Sequence, residues 1–264
     1  MANKREKSVI YGYSERGIFN SIIYYLNSKP ELIGKFLEEV LEVKDFINND
    51  NTSFTFLNEQ SFSDFGDNDL TIIIENESET EKTVVFIEGK VKTFSGNYSL
   101  DKEYKKINKA IDKNETFDGF SSNIFVQLYY KYLLQDVVNS ENDETTNLVD
   151  LFKKKDRKGG KTERRIGDNG VVLKACNMIK KAKYYYYIAI LPDVTLPENI
   201  NSFSECFEKI DKICMDTENI KNIKCVYWKK IEEFFGNTAS VSQNFEFNKV
   251  KDKNGDDKSQ IYQN

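Results

Sequence analysis

The chain has 264 residues, with 38 Lys and Arg against 43 Asp and Glu, a net charge of −5 and no histidine. That length suits one large domain, or one domain with an elaboration. The acidity is not the footprint of a uniformly basic nucleic-acid binder, and the missing histidines exclude histidine triads, histidine zinc ligands and a histidine general base.

The cysteines Cys176, Cys206, Cys214 and Cys225 lack metal-like pairing, and read as reduced, mostly buried thiols. The opening MANKREKSV leads into no apolar stretch, and no run approaches the length of a membrane span. Neither export nor membrane insertion is expected, and the expected location is the cytoplasm.

Ser14 reads as the N-cap of a first helix through about Leu26, with Ile18, Phe19, Ile22, Ile23 and Leu26 as its apolar stripe. Glu15 falls on the buried face at the first turn. There it can complement the helix dipole or point into a cleft. A second helix is expected over residues 31–46, then a turn and a strand at 53–59 in which Phe54 and Phe56 share a face. The loop SFSDFGDN, with Gly66, leads to two apolar runs, 70–74 and 84–91, joined by an acid-rich connector. These runs read as a β-hairpin.

Further along, a charged helix is expected at 100–111 and a longer apolar one at 123–138, the latter with Gln127 and Lys131 four apart on one face. Residues 139–170 hold few apolar side chains and several glycines, and read as a flexible insertion within a single domain. Then come a helix at 171–183, a buried strand YYYYIAIL at 184–191, a helix at 203–213, a strand at 223–228 and a last short helix at 231–235, before a charged tail. A meander followed by alternating helices and strands gives an α/β fold with a central mixed sheet flanked by helices.

The hairpin holds carboxylates where an apolar strand should have none. Alternation puts Val84, Phe86, Glu88, Lys90 and Lys92 on one face of the second strand, so that face starts apolar and turns ionic. Asp69, at the mouth of the first strand, and Glu88 can hold a hard divalent cation through oxygen ligands. Mg²⁺ is the default and Mn²⁺ its substitute. Lys90 can orient the attacking water or stabilise charge in the transition state. Charge spacing alone favours a structural ion-pair network, and charges that protect an edge strand from aggregation would explain Lys90 and Lys92 as well.

With GDND followed by LTIII, and VVFIEGK after it, the sequence resembles the PD-(D/E)XK nuclease superfamily, the restriction-endonuclease-like proteins. The resemblance covers roughly residues 10–135. It implies an α-β-β-β-α-β core in which Glu15, Asp69, Glu88 and Lys90 form the site, and Glu15, Asp69 and Glu88 are the metal ligands. Asn68 replaces the proline often found before the aspartate, and Asp67 is a rival for Asp69. Similar nucleases place a glutamine near the following helix, here Gln127. The pair Glu59 and Gln60 is another neighbour that could lie near the cleft.

The activity so implied is metal-dependent hydrolysis of DNA by a restriction-like endodeoxyribonuclease. Double-stranded DNA is the expected partner, and a homodimer would cut both strands. The alternative is an inactive nuclease fold that binds nucleic acid or protein. Lys92 and the cluster KKKDRKGGKTERR at 153–165, with Arg164 and Arg165, are the expected substrate contacts, set against the plainer reading of solvated surface. Tyr184 to Tyr187 read as strand packing, and Trp228 as core or cleft wall.

Overall fold

The structure is a computed structural model that describes residues 11–12, 14–77, 81–92, 97–113, 120–140, 166–192, 194–210, 213, 215–236, 239–249 and 253–255. Its centre is a five-stranded mixed sheet in the order β1-β2-β3-β4-β5. β1 (Thr52–Ser61), β2 (Asp67–Asn76) and β3 (Glu81–Gly89) form an antiparallel meander. β4 (Tyr184–Leu191) and β5 (Ile223–Tyr227) then add in parallel to β3. The chain is α/β, with helices on both sides of this sheet.

Strand alternation assigns side chains to the two sides. Val84 and Phe86 of β3 pack with α3 (Leu100–Asp112), α4 (Ile124–Asn139) and α5 (Gly170–Ile179). Val85 and Ile87 pack with α1 (Ser14–Ser28) and α8 (Trp228–Phe235). β4 is buried on both faces, as parallel strands between helical layers are. Its tyrosines are strand packing, as expected: Tyr185 and Tyr187 enter one core and Tyr186 the other. Their hydroxyls end on polar partners, Tyr185 donating to Ile179 O at 2.8 Å and Tyr186 to Asp45 Oδ2 at 2.5 Å.

Several boundaries differ from the sequence reading. Ser14 does not cap α1: its φ is 64°, and its hydroxyl turns to the Glu15 carboxylate. The helix expected over 31–46 is a 3₁₀ turn (Pro30–Leu32), a single α turn, α2 (Ile33–Lys35), and a π turn (Phe36–Val40). The wider π turn, followed by Glu42 at φ 58°, lets Phe36, Leu37, Val40, Leu41 and Val43 all face inward.

α5 stops at Ile179, two residues before Lys181 at φ 61°. α6 (Phe203–Glu208) is shorter than expected, although Ile210 and Ile213 beyond it are still buried. α7 (Thr217–Lys221) precedes β5. The helix at 231–235 begins earlier, at Trp228, and is not the last. α9 (Ala239–Asn248) follows it and packs on α1. Residues 141–165 of the expected basic insertion lie outside the described residues, so Arg164 and Arg165 carry no structural statement. No helix among the described residues is long and apolar enough to cross a membrane.

Candidate functional site

The meander brings the hairpin's ionic residues to one end of the sheet. β2 begins at Asp67, so Asp69 is its third residue and not its mouth. The β2–β3 register runs Leu70↔Ile87 and Thr71↔Phe86, and the next step places Asp69 beside the end of β3. Its Oδ2 accepts the Gly89 N–H at 2.7 Å. Asp67 is exposed, and its backbone carbonyl accepts from Lys131 at 3.0 Å. Of the two rivals, Asp69 is the one whose carboxylate reaches the Glu-x-Lys strand. Between them Asn68 turns inward, its Nδ2 donating to Leu70 O at 2.6 Å and Thr71 Oγ1 at 2.8 Å.

Glu88 follows the last apolar residue of β3 and is only 1% exposed. It faces α4, from which Gln127 and Lys131 project one turn apart. Gln127 Nε2 donates to Glu88 Oε2 at 3.0 Å, and Lys90 Nζ donates to the same amide's Oε1. One glutamine thus joins both polar residues of the Glu-x-Lys. On the other side of Glu88, Lys131 Nζ stands 3.6 Å from Oε1 and donates to Phe65 O at 2.8 Å. The Lys90 backbone is fixed too: its N–H donates to Ile190 O and its carbonyl accepts the Trp228 indole N–H, each at 2.8 Å. Trp228 is fully buried behind the strand.

Glu15 arrives from the opposite face. Gly89 points toward α1, and a Cβ there would meet Phe19 Cε2 at 3.0 Å, Glu15 Cβ at 3.1 Å and Trp228 Cζ2 at 3.2 Å. Only glycine lets α1 approach this closely. Two buried asparagines on α9 hold the start of α1. Asn248 Oδ1 accepts Ser14 N–H at 2.8 Å and its Nδ2 donates to Gly12 O at 3.1 Å, while Asn244 Nδ2 donates to Gly17 O at 2.9 Å.

Burial dominates the electrostatics. It raises the Asp69 carboxyl above its ordinary value, partly offset by the Gly89 hydrogen bond and Lys90, while nearby Glu15 adds to the rise. It pushes Glu88 up to about 7 against the pull of Lys131. It pulls the Lys131 ammonium down despite Glu88. A further carboxylate lies close by: half-buried Glu103 of α3 is raised by burial and lowered in part by the Ile124 N–H and by Lys90. Its Oε2 accepts Ile124 N–H at 2.8 Å and Tyr98 O–H at 3.0 Å, tying α3 to the start of α4.

Glu15, Asp69, Glu88, Lys90 and Gln127 therefore meet at the end of β3. The three carboxylates do not form one cluster, however: among the described residues no group of three or more His, Cys, Asp or Glu is gathered closely enough to hold a metal ion. Each carboxylate is drawn to its own donor, Glu15 to Ser14, Asp69 to Gly89, and Glu88 to Gln127. Lys92 lies half-buried just past β3. Glu59 and Gln60 turn elsewhere, Glu59 to Arg16 at 2.6 Å and Gln60 to Ser61 O at 2.7 Å. On α3, Lys105 pairs with Asp101 at 2.7 Å and is exposed, so it is an ordinary solvated pair.

Lys131, Glu103, Asn244 and Asn248 were missed as site residues. The Gln127–Lys131 spacing in an otherwise apolar helix was the available signal for Lys131. No family model, curated protein or solved structure matches the chain.

Proposed function

We propose that this chain is a divalent-metal-dependent nuclease of the PD-(D/E)XK type, hydrolysing phosphodiesters of double-stranded DNA as a cytoplasmic, restriction-like endonuclease. The observation that carries this reading is the Glu88–Gln127–Lys90 bridge next to Asp69 at the end of the hairpin. Support comes also from the order in the chain: a helix with Glu15, then β2 with Asp69, then β3 with Glu-x-Lys, in a meander that crosses over to a parallel β4.

The donor set suits a hard cation such as Mg²⁺ or Mn²⁺. Glu88 Oε1 is buried and accepts no hydrogen bond, and burial raises both Asp69 and Glu88 in spite of the nearby lysines. Asp69 and Glu88 would hold the ion, with Glu15 on the far side of Gly89. When bound, the ion lowers the pKa of a water and offsets charge on the phosphoryl oxygens. Gln127 holds Glu88 and Lys90 in fixed relation, and Lys90 brings a positive charge to orient the attacking water or to meet charge that develops on the phosphate. Cutting both strands of a duplex calls for two such sites, and a homodimer supplies them.

The second reading, a nuclease fold that binds without cutting, is favoured by one observation: Lys131 already faces Glu88 with a positive charge. Supercoiled plasmid incubated with the protein in Mg²⁺, Mn²⁺ or chelator separates the two. The nuclease reading expects metal-dependent nicking that Glu88→Ala and Lys90→Ala slow severely while DNA binding persists. Binding without cleavage under every metal condition selects the second.

A further inference from the structure

Lys131 takes no part in the reaction as described, yet it is completely buried in the middle of α4. Placing an ammonium there is costly, because burial strips it of water, and a well-packed apolar side chain of similar volume is often at least as stable. What the lysine does that an apolar residue cannot is reach three oxygens on two strands' approaches. Its Nζ lies 2.8 Å from Phe65 O and 3.0 Å from Asp67 O, in the segment that turns through Gly66 (φ 79°) into β2, and 3.6 Å from Glu88 Oε1 on β3. Asp69 comes two residues after the second of these carbonyls. One turn back along α4, Gln127 holds the other oxygen of Glu88.

We propose that Lys131 is a positioning residue that ties the start of β2 to the Glu88 carboxylate and so fixes the separation of Asp69 and Glu88 for a divalent cation. This rests on the metal-dependent reading above. α4 addresses both oxygens of Glu88: Gln127 hydrogen-bonds Oε2 at 3.0 Å on the side of Lys90, and the Lys131 ammonium faces Oε1 at 3.6 Å on the side of the β2 turn. Without the ammonium, Glu88 loses its buried counter-charge and the two carbonyls lose their donor. The two carboxylates are then set by the strands alone.

The test is Mn²⁺ binding to the full chain, read from the electron paramagnetic resonance of free Mn²⁺ and from emission of Trp228, the only tryptophan, whose indole N–H holds Lys90 O. Lys131→Met is expected to weaken Mn²⁺ binding roughly 10- to 100-fold, the usual scale for residues that orient metal ligands. Lys131→Gln, which keeps a donor for the carbonyls, should lose less. Plasmid cleavage should fall in kcat with KM for DNA unchanged. Circular dichroism shows whether each variant is folded, and if Lys131→Met is not, Lys131→Gln carries the same comparison with wild type. Wild-type Mn²⁺ affinity in a folded variant overturns this inference and leaves the nuclease reading standing. A wild-type chain that binds no Mn²⁺ overturns both.

Discussion

Glu88 and Gly89 are neighbours on β3, yet they face opposite layers and are held by opposite means. On the α4 side, orientation comes from directional polar contacts: a glutamine, two lysines and backbone carbonyls around one buried carboxylate. On the α1 side it comes from the absence of a side chain, which brings Glu15, Phe19 and Trp228 against the strand. The first arrangement is sensitive to charge and the second to volume. A constellation built from both can be perturbed separately from each side.

The largest effect is expected on the polar side. Glu88→Ala or Lys90→Ala should slow Mg²⁺-dependent plasmid nicking by roughly 10²–10³-fold, the scale seen when a transition-state contact is removed. Nicking at the wild-type rate would reduce the polar side to scaffolding. On the α1 side, Gly89→Ala adds a Cβ between three atoms at 3.0, 3.1 and 3.2 Å. Overpacking of this kind costs about 1–3 kcal/mol, measurable by urea denaturation, and should displace Glu15 while leaving the Glu88–Gln127 contact intact. An unchanged midpoint would mean that α1 yields freely, and the contrast between the two sides would vanish. Asn248→Ala, which strips the Ser14 N–H and Gly12 O of their partner, should cost about 1–3 kcal/mol by the same assay.

The smallest effect is on pH dependence. Burial raises Glu88 from its ordinary 4.5 to about 7, so between those values the folded chain holds a proton that the unfolded chain has released. Stability contributed at this residue therefore declines as pH rises through that window. Melting temperatures of the metal-free protein from pH 4.5 to 8 should fall through this term. Glu88→Gln should remove that part of the slope, and Mg²⁺ should restore stability most at the alkaline end. An identical slope in Glu88→Gln would mean that other groups set the profile.

The sheet was legible because its signals are local. The apolar runs of the hairpin and the YYYYIAIL strand carry their own period, and the change at Glu88 from apolar to ionic marked where the sheet opens. Asp69 was preferred to Asp67 because it directly precedes the apolar run, but two residues apart they share a face, and a slip of register would exchange them. The register that puts Leu70 opposite Ile87 is a property of the pair of strands. Gln127 was reached by resemblance, whereas Lys131 stood out only as a spacing, because nothing in a helix's own sequence says that its lysine is buried. α9 went unread because, of its buried positions among the described residues, Val241, Asn244, Phe245 and Asn248, two are asparagines. A search for apolar periodicity passes over them, and their purpose is visible only once α1 lies alongside.

Those asparagines have a consequence for synthesis. They hold backbone groups 232 and 234 residues earlier in the chain. On the ribosome, the hairpin and its carboxylates emerge while the clamp on the first helix has yet to be made. A nascent chain thus carries Asp69, Glu88 and Lys90 without a secured Glu15 until α9 has followed. Among the described elements, α9 comes late in the chain, yet it is the one that sets the early α1 in place.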